Sequence, residues 1–193
     1  LKHQRLTEFV QPVIRGHRRS KDHDPLDYYP TPPIAVEKLL LVETFPGLVW
    51  EPACGDGAIS RILEANQIET ISTDLIDRGY GEGNHDFFKS PLRADHIITN
   101  PPYKLAQAFV EHALTLTSGK VAMLVRVSFL GSAKRKPFFL SNPPARVYLF
   151  AKRITLWKRG EEPVKPTGGG IVDYVWCVWD HSAPNMPTQL HWL

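Results

Sequence analysis

Short apolar runs recur along the chain, each closed by a turn rich in glycine, proline or Asp/Asn. Those at 48–50, 70–73, 95–99, 120–128, 146–152 and 174–179 are too short for helices and read as buried strands. Between them the apolar period changes to that of a helix. Ile59, Ile62 and Leu63 share one helical face, as do Leu105, Phe109, Ala113 and Leu116 of a helix expected over 104–117. An earlier helix is expected over 33–43. It opens on Pro33, where the missing N–H costs nothing, with Thr31 as its cap and Ile34, Leu40 and Leu41 on its apolar side. A basic helix or loop is expected over 129–140. Strands alternating with helices predict an α/β fold with a mostly parallel sheet. The last two runs are joined by 158–170, which holds Pro163, Pro166 and three consecutive glycines. That connection suits a hairpin and makes the last strand antiparallel. The tail from His181, broken by Pro184 and Pro187, is expected to be irregular.

Residues 1–26 are polar, basic and weakly periodic, and read as an N-terminal arm. Residues 27–193 then form a single domain, since 193 residues suffice for one α/β core but not for two ordinary ones. No apolar run approaches the ~18 residues of a membrane span. Cys54 and Cys177 are far apart and the eight histidines lack ligand spacing. No disulfide framework and no metal site are expected, and a cytoplasmic location fits. The net charge of +3 is mild, but its distribution is uneven. Arg15, Arg18, Arg19 and Lys21 form one basic cluster, Lys134, Arg135 and Lys136 a second, and Lys152, Arg153, Lys158 and Arg159 a third. Clustered cations suit contact with a phosphate backbone; the plainer reading of each cluster is a solvated face.

The candidate chemistry lies where strands end. After 95–99 comes Asn100-Pro101-Pro102-Tyr103. Two prolines stiffen the loop and remove two donors, leaving its carbonyls free to accept. With the Asn100 amide oxygen and the Tyr103 ring, such a loop suits a planar amine, although Asn-Pro-Pro is also ordinary turn punctuation. After 48–50 comes Glu51-Pro52-Ala53-Cys54-Gly55-Asp56-Gly57. A strand, a glycine loop and a helix open a nucleotide-binding unit, but Ser60 stands where a dinucleotide fingerprint has its third glycine. Glu51 at the loop's mouth disfavours a pyrophosphate and favours an ammonium, which points to S-adenosylmethionine. Asp74, at the end of the next strand, is placed for ribose hydroxyls. Asp86 and Phe87 suit an adenine amine and ring; a short buried strand with two core phenylalanines is the alternative.

In this order, Asp-Tyr-Tyr-Pro-Thr-Pro-Pro at 27–33, the 51–57 loop, Asp74, Asp86-Phe87 and Asn-Pro-Pro-Tyr resemble the motifs of amino-methylating DNA methyltransferases, the adenine-N6 type above all. The chain is similar to the compact forms found in phages and prophages. The resemblance implies a Rossmann-like class I methyltransferase fold: a mostly parallel seven-stranded sheet with an antiparallel last strand and helices on both faces. It places Tyr29, Pro30, Thr31, Glu51, Pro52, Ala53 and Gly55 near the methionine end of S-adenosylmethionine. Asp74 goes to the ribose, and Leu75, Asp86 and Phe87 to the adenine. It gives Asn100, Pro101, Pro102 and Tyr103 the target base, with Tyr103 stacking on it. DNA is the expected partner and RNA a possible one. Too few residues follow Ser128 for a separate target-recognition domain, so Arg18, Arg19, Arg126, Lys134, Arg135 and Lys136 are the candidate nucleic-acid contacts. A protein glutamine amide is also a planar amine, so a glutamine methyltransferase is an alternative, as is a non-catalytic nucleic-acid-binding subunit.

Overall fold

The computed structural model describes residues 28–157, 172–184 and 186–193. The arm at 1–26, with Arg18 and Arg19, and the 158–170 connection lie outside the described residues. In chain order the elements are α1 (Pro33–Leu40), β1 (Val49–Glu51), α2 (Ser60–Ala65), β2 (Thr70–Ser72), β3 (His96–Thr99), α3 (Ala106–Leu116), β4 (Lys120–Arg126), α4 (Lys136–Ser141), β5 (Arg146–Leu149), β6 (Tyr174–Asp180) and β7 (Gln189–Trp192). Short 3-10 turns precede α3 and link β4 to α4.

The strands form one seven-stranded sheet in the order β2-β1-β3-β4-β6-β5-β7. All neighbours pair in parallel except β6, which runs antiparallel to both β4 and β5. The central strand β4 is buried on both faces, as a strand sandwiched between helices must be. Alternate side chains divide the core in two. Trp50, Ile97, Val121, Met123, Val175 and Cys177 pack with Phe109, Val110 and Ala113 of α3. Val49, Ile98, Ala122, Leu124, Trp176 and Val178 pack with Ala35, Val36 and Leu39 of α1 and Leu63 of α2.

The expected elements are present, with four differences. Helix α1 ends at Leu40 and buries Ala35, Val36 and Leu39, while Ile34 and Leu41 face solvent. Contact with the sheet selects this face: small Ala35 lets Trp176 approach and donate Nε1–H to its carbonyl at 2.8 Å. Thr31 does not cap α1; Pro32 holds that position without a side-chain bond. Leu105 lies in a 3-10 turn (Tyr103–Leu105) rather than in the helix, which rotates it outward. The tail is not irregular throughout. Gln189–Trp192 adds β7 beyond the antiparallel strand, pairing in parallel with β5. Its Gln-Leu-His-Trp sequence does alternate, but over only four residues, and all four are exposed. Backbone bonds define it instead, from Gln189 N–H to the Ala145 carbonyl at 2.9 Å and from Leu193 N–H to the Leu149 carbonyl at 2.7 Å.

A charged cluster ties the starts of β4 and β5 to the end of β6. Buried Glu43 accepts from Lys120 at 2.7 Å, from the Arg146 guanidinium and from the Tyr148 hydroxyl at 2.7 Å. Arg146 also pairs with Asp180 at 2.6 Å. Burial alone would raise the Glu43 pKa, but the bonds from Arg146, Lys120 and Tyr148 outweigh it and hold the carboxyl below its usual value. A depressed carboxylate stabilises the fold above its unfolded pKa and ceases to do so as pH falls through the folded value. Glu43→Gln is therefore expected to cost about 3 kcal/mol at pH 7, since it leaves Lys120 partly buried without its counter-charge and Arg146 with Asp180 alone. Denaturant unfolding at stepwise lower pH should show the gap from wild type closing below the carboxylate range.

Candidate active site

Strand order places the site. From β1 the chain crosses one way to β2 and later the other way to β3, so β1 and β3 flank a topological switch point. A cleft of about 330 Å³ opens there, within the range of small-molecule sites. It is lined by Tyr29, Pro30, Thr31, Glu51, Pro52, Ala53, Gly55, Asp74, Leu75, Asp86, Phe87, Asn100 and Pro102. All eleven expected cofactor-binding residues thus meet around one cavity.

The glycine loop is fixed from behind by its two acids. Asp74 accepts from Gly55 N–H and from Ile76 N–H, each at 2.8 Å, joining the loop after β1 to the loop after β2. Each of its oxygens keeps a second lone pair for a ligand hydroxyl. Gly55 has φ +58°, and a Cβ there would lie 2.6 Å from the Tyr28 ring, so both backbone and space require glycine. Glu51 is placed differently from expectation. Rather than standing open at the loop's mouth, it is 1% exposed and accepts from the Ser60 backbone N–H at 2.9 Å and from the Ser60 hydroxyl. It braces the first turn of α2, and burial pushes its pKa well up. Burial also pushes the Cys54 thiol up to about 12, so this cysteine is no thiolate nucleophile.

The Asn100 loop is oriented from the segment before α1. Asn100 Nδ2 donates to the Tyr29 carbonyl at 3.0 Å and to Thr31 Oγ1 at 3.1 Å. A backbone carbonyl can only accept, so the amide cannot flip without breaking that bond. Its oxygen is consequently turned the other way. Asn100 Oδ1 is buried and has no hydrogen-bond partner among the described residues. The Pro102 carbonyl is spent on Leu105 N–H at 2.8 Å, while the buried Pro101 presents a carbonyl that accepts none of the described backbone hydrogen bonds. Pro101 and Tyr103 do not line the cleft itself. The Tyr103 ring is engaged by Tyr29, with centroids 6.3 Å apart, and by the Arg126 guanidinium 4.4 Å from its centroid. Its platform is thus covered in this state.

Around the adenine end, Asp86 is not in a strand. It caps a 3-10 turn (Phe87–Lys89) by accepting from Phe88 N–H at 3.1 Å, and it pairs with Lys89 at 3.0 Å. Its bond from Lys89 holds its pKa below the ordinary value. Phe87 is buried against Trp50, Phe109 and His112. The exposed large apolar side chains at the cleft are Leu75, Phe88 and Leu105. Phe88 is the better-placed platform for a ring, and it escaped assignment because its neighbour Phe87 carries the acid-aromatic pair. Tyr28, Asp56, Arg78, Leu105 and Phe109 also line the cleft unassigned. Tyr28 stood in the quoted motif; Arg78 carried no signal at all.

The basic residues divide. Lys134 and Lys136 are exposed. Arg135 donates to the Phe129 carbonyl at 2.7 Å and the Ser128 carbonyl at 2.9 Å, which steadies the turn after β4 and leaves further N–H donors. Arg126 ends β4 and, through Tyr103, sits beside the Asn100 loop.

No protein-family model matches the sequence, and no curated protein matches it. Solved structures do. A protein provisionally described as an RNA methyltransferase, from Pyrococcus horikoshii, superposes with a TM-score of 0.60 at 16% identity, covering 80% of this chain and 87% of that one. The modification subunit of a provisionally described type I restriction enzyme from Vibrio vulnificus gives 0.56 at 15% identity, over 88% of this chain and 48% of the other. A dimethyladenosine transferase from Plasmodium falciparum gives 0.51 at 14% identity, over 79% and 62%. At these identities the likeness establishes the fold, a Rossmann-like class I methyltransferase fold.

Because the fold raises the Glu51 pKa, the native state binds a proton more tightly there than the unfolded chain does. Stability from this group is full below the ordinary carboxylate value and is lost as pH rises through the elevated one. Glu51→Gln keeps an acceptor for Ser60 and removes the buried charge. Thermal melts of the ligand-free protein are expected to coincide for the two forms at pH 5. At pH 8 the variant is expected to melt about 3 °C higher, as ~1 kcal/mol produces in a domain this size.

Proposed function

We propose that the protein transfers a methyl group from S-adenosylmethionine to the N6 amine of an adenine in DNA. The observation that carries the proposal is the buried, unpartnered Oδ1 of Asn100, held by Tyr29 and Thr31 at the edge of a cofactor-sized cleft. The residues present fit this methyl donor. Glu51 and Asp56 suit its cationic end, Asp74 its ribose, and Leu75, Asp86 and Phe88 its adenine. S-adenosylmethionine supplies, when bound, a methyl group already activated by a sulfonium.

What remains for the chain is to make a poor nucleophile attack. The lone pair of an exocyclic adenine amine is delocalised into its ring. Asn100 Oδ1 and the Pro101 carbonyl can accept the amine's two N–H groups and draw the nitrogen out of conjugation. Both bonds strengthen as the nitrogen becomes positive, so they favour the transition state over the resting amine. The stiff Pro101-Pro102 pair supplies the orientation. No strong base is needed before attack, and the proton leaves afterwards to solvent. A duplex adenine must first be turned out of the stack. Tyr103 supports that step once Arg126 releases its ring toward a phosphate, and Lys134 and Lys136 add sequence-independent charge contacts.

A second reading keeps the chemistry and changes the polymer. The Pyrococcus neighbour is named for RNA and the Plasmodium neighbour for dimethyladenosine, and the same amine clamp serves an adenine in RNA.

The test is transfer from a labelled methyl donor into separate pools of duplex DNA, single-stranded DNA, RNA and protein. Label is expected in DNA adenine. Asn100→Ala should reduce the initial rate by about 100-fold or more, the usual loss for one preorganised polar group at a reacting centre, with the melting temperature little changed. Label confined to RNA or protein would move the substrate, and no label in any pool would sink the proposal.

A further inference from the structure

The cleft is lined by four carboxylates, Glu51, Asp56, Asp74 and Asp86, and by one Lys or Arg among the described residues, Arg78. Arg78 follows β2 in the loop after Asp77. Its Cζ lies 3.9 Å from the centroid of the Tyr28 ring, and its Nε is buried without a hydrogen-bond partner. Tyr28 in turn lies against Gly55 and is hydrogen-bonded to Asp56. The guanidinium is therefore held on Tyr28, next to the glycine loop. Contact with an aromatic ring consumes none of a guanidinium's five N–H donors.

This arrangement leaves an electrostatic requirement. If the cleft takes S-adenosylmethionine, as proposed above, the amino-acid end of that ligand brings an ammonium and a carboxylate to the glycine loop. Glu51 and Asp56 suit the ammonium. A carboxylate placed near Asp56 and Asp74, without a cation, would be strongly disfavoured in a site partly closed from water. Arg78 is the residue in position to offset that. An arginine also matches a carboxylate geometrically, with two parallel N–H donors.

We infer that Arg78, steadied on Tyr28, binds the carboxylate of the methyl donor's amino-acid end and so selects the intact amino acid over analogues lacking that group. The inference rests on the cleft being the S-adenosylmethionine site.

Titration calorimetry with two probes tests it: S-adenosylhomocysteine, and its decarboxylated analogue, which keeps the amine. Wild type is expected to bind S-adenosylhomocysteine at least about 10-fold more tightly than the analogue, as a charge-assisted bidentate pair provides. In Arg78→Met that gap should shrink to about twofold or less, through weaker binding of S-adenosylhomocysteine alone. Arg78→Lys, which keeps the charge but not the fork, should fall between. An undiminished gap in Arg78→Met, or equal weakening of both probes, would overturn the inference while leaving the cofactor site standing. Absence of a gap in wild type would overturn it even if Arg78→Met failed to fold. Wild type that binds neither probe would refute the cofactor reading of the cleft, and this inference with it.

Discussion

The site depends on the direction in which one amide points. Asn100 follows a buried strand and is followed by two prolines, so its backbone has little freedom. Its side chain could still face either way. Two acceptors on the segment before α1, the Tyr29 carbonyl and Thr31 Oγ1, hold the nitrogen, and the oxygen is left buried and unbonded. Leaving a buried acceptor unmatched costs on the order of 1–3 kcal/mol, and such a cost persists where a ligand is to be bound. The segment at 29–31 is thus part of the same device as the Asn100 loop, although about 70 residues separate them along the chain.

Charge is divided between the two ends of the sheet. Where β4 and β5 begin, Glu43 is satisfied by Lys120, Arg146 and Tyr148, and the cluster holds strands together. Where β1, β2 and β3 end, Glu51, Asp56 and Asp74 gather with Arg78 as the one Lys or Arg lining the cleft among the described residues, while Asp86 pairs with Lys89. Like charges collected in a cleft oppose folding and favour a cationic ligand. Buried Glu51 shows the compromise most plainly: it caps the start of α2 and meets the cleft with a carboxyl that burial disfavours as an anion.

Much of this was legible in the chain because strand ends carry strong local signals. Proline pairs, glycine loops and acids after apolar runs are visible without tertiary information, and they led to the switch point. The roles of those residues were less legible. Thr31 reads as a helix cap because a hydroxyl can cap a helix that opens on proline, whereas its oxygen accepts from Asn100, which follows β3. Glu51 reads as an open acid because nothing local announces Ser60 as its partner. Arg135 reads as a phosphate contact, and nothing local announces that it also braces the turn after β4 through the carbonyls of Phe129 and Ser128. Strand β7 offers only a four-residue alternation between prolines and the chain's last residue, and backbone bonds at an edge hold it. In each case a partner distant in sequence or a main-chain bond decided the outcome.

The most direct test of the account is a double-mutant cycle between Thr31 and Asn100, read by methyl-transfer rate. Thr31→Val is nearly isosteric and removes one of the two acceptors that orient the amide. If Thr31 acts through Asn100, this substitution lowers the rate about 10-fold in wild type, the worth of roughly one hydrogen bond. It then has no further effect in an Asn100→Ser background. Equal losses in both backgrounds would mean that Thr31 works independently of the Asn100 amide, and would contradict the account.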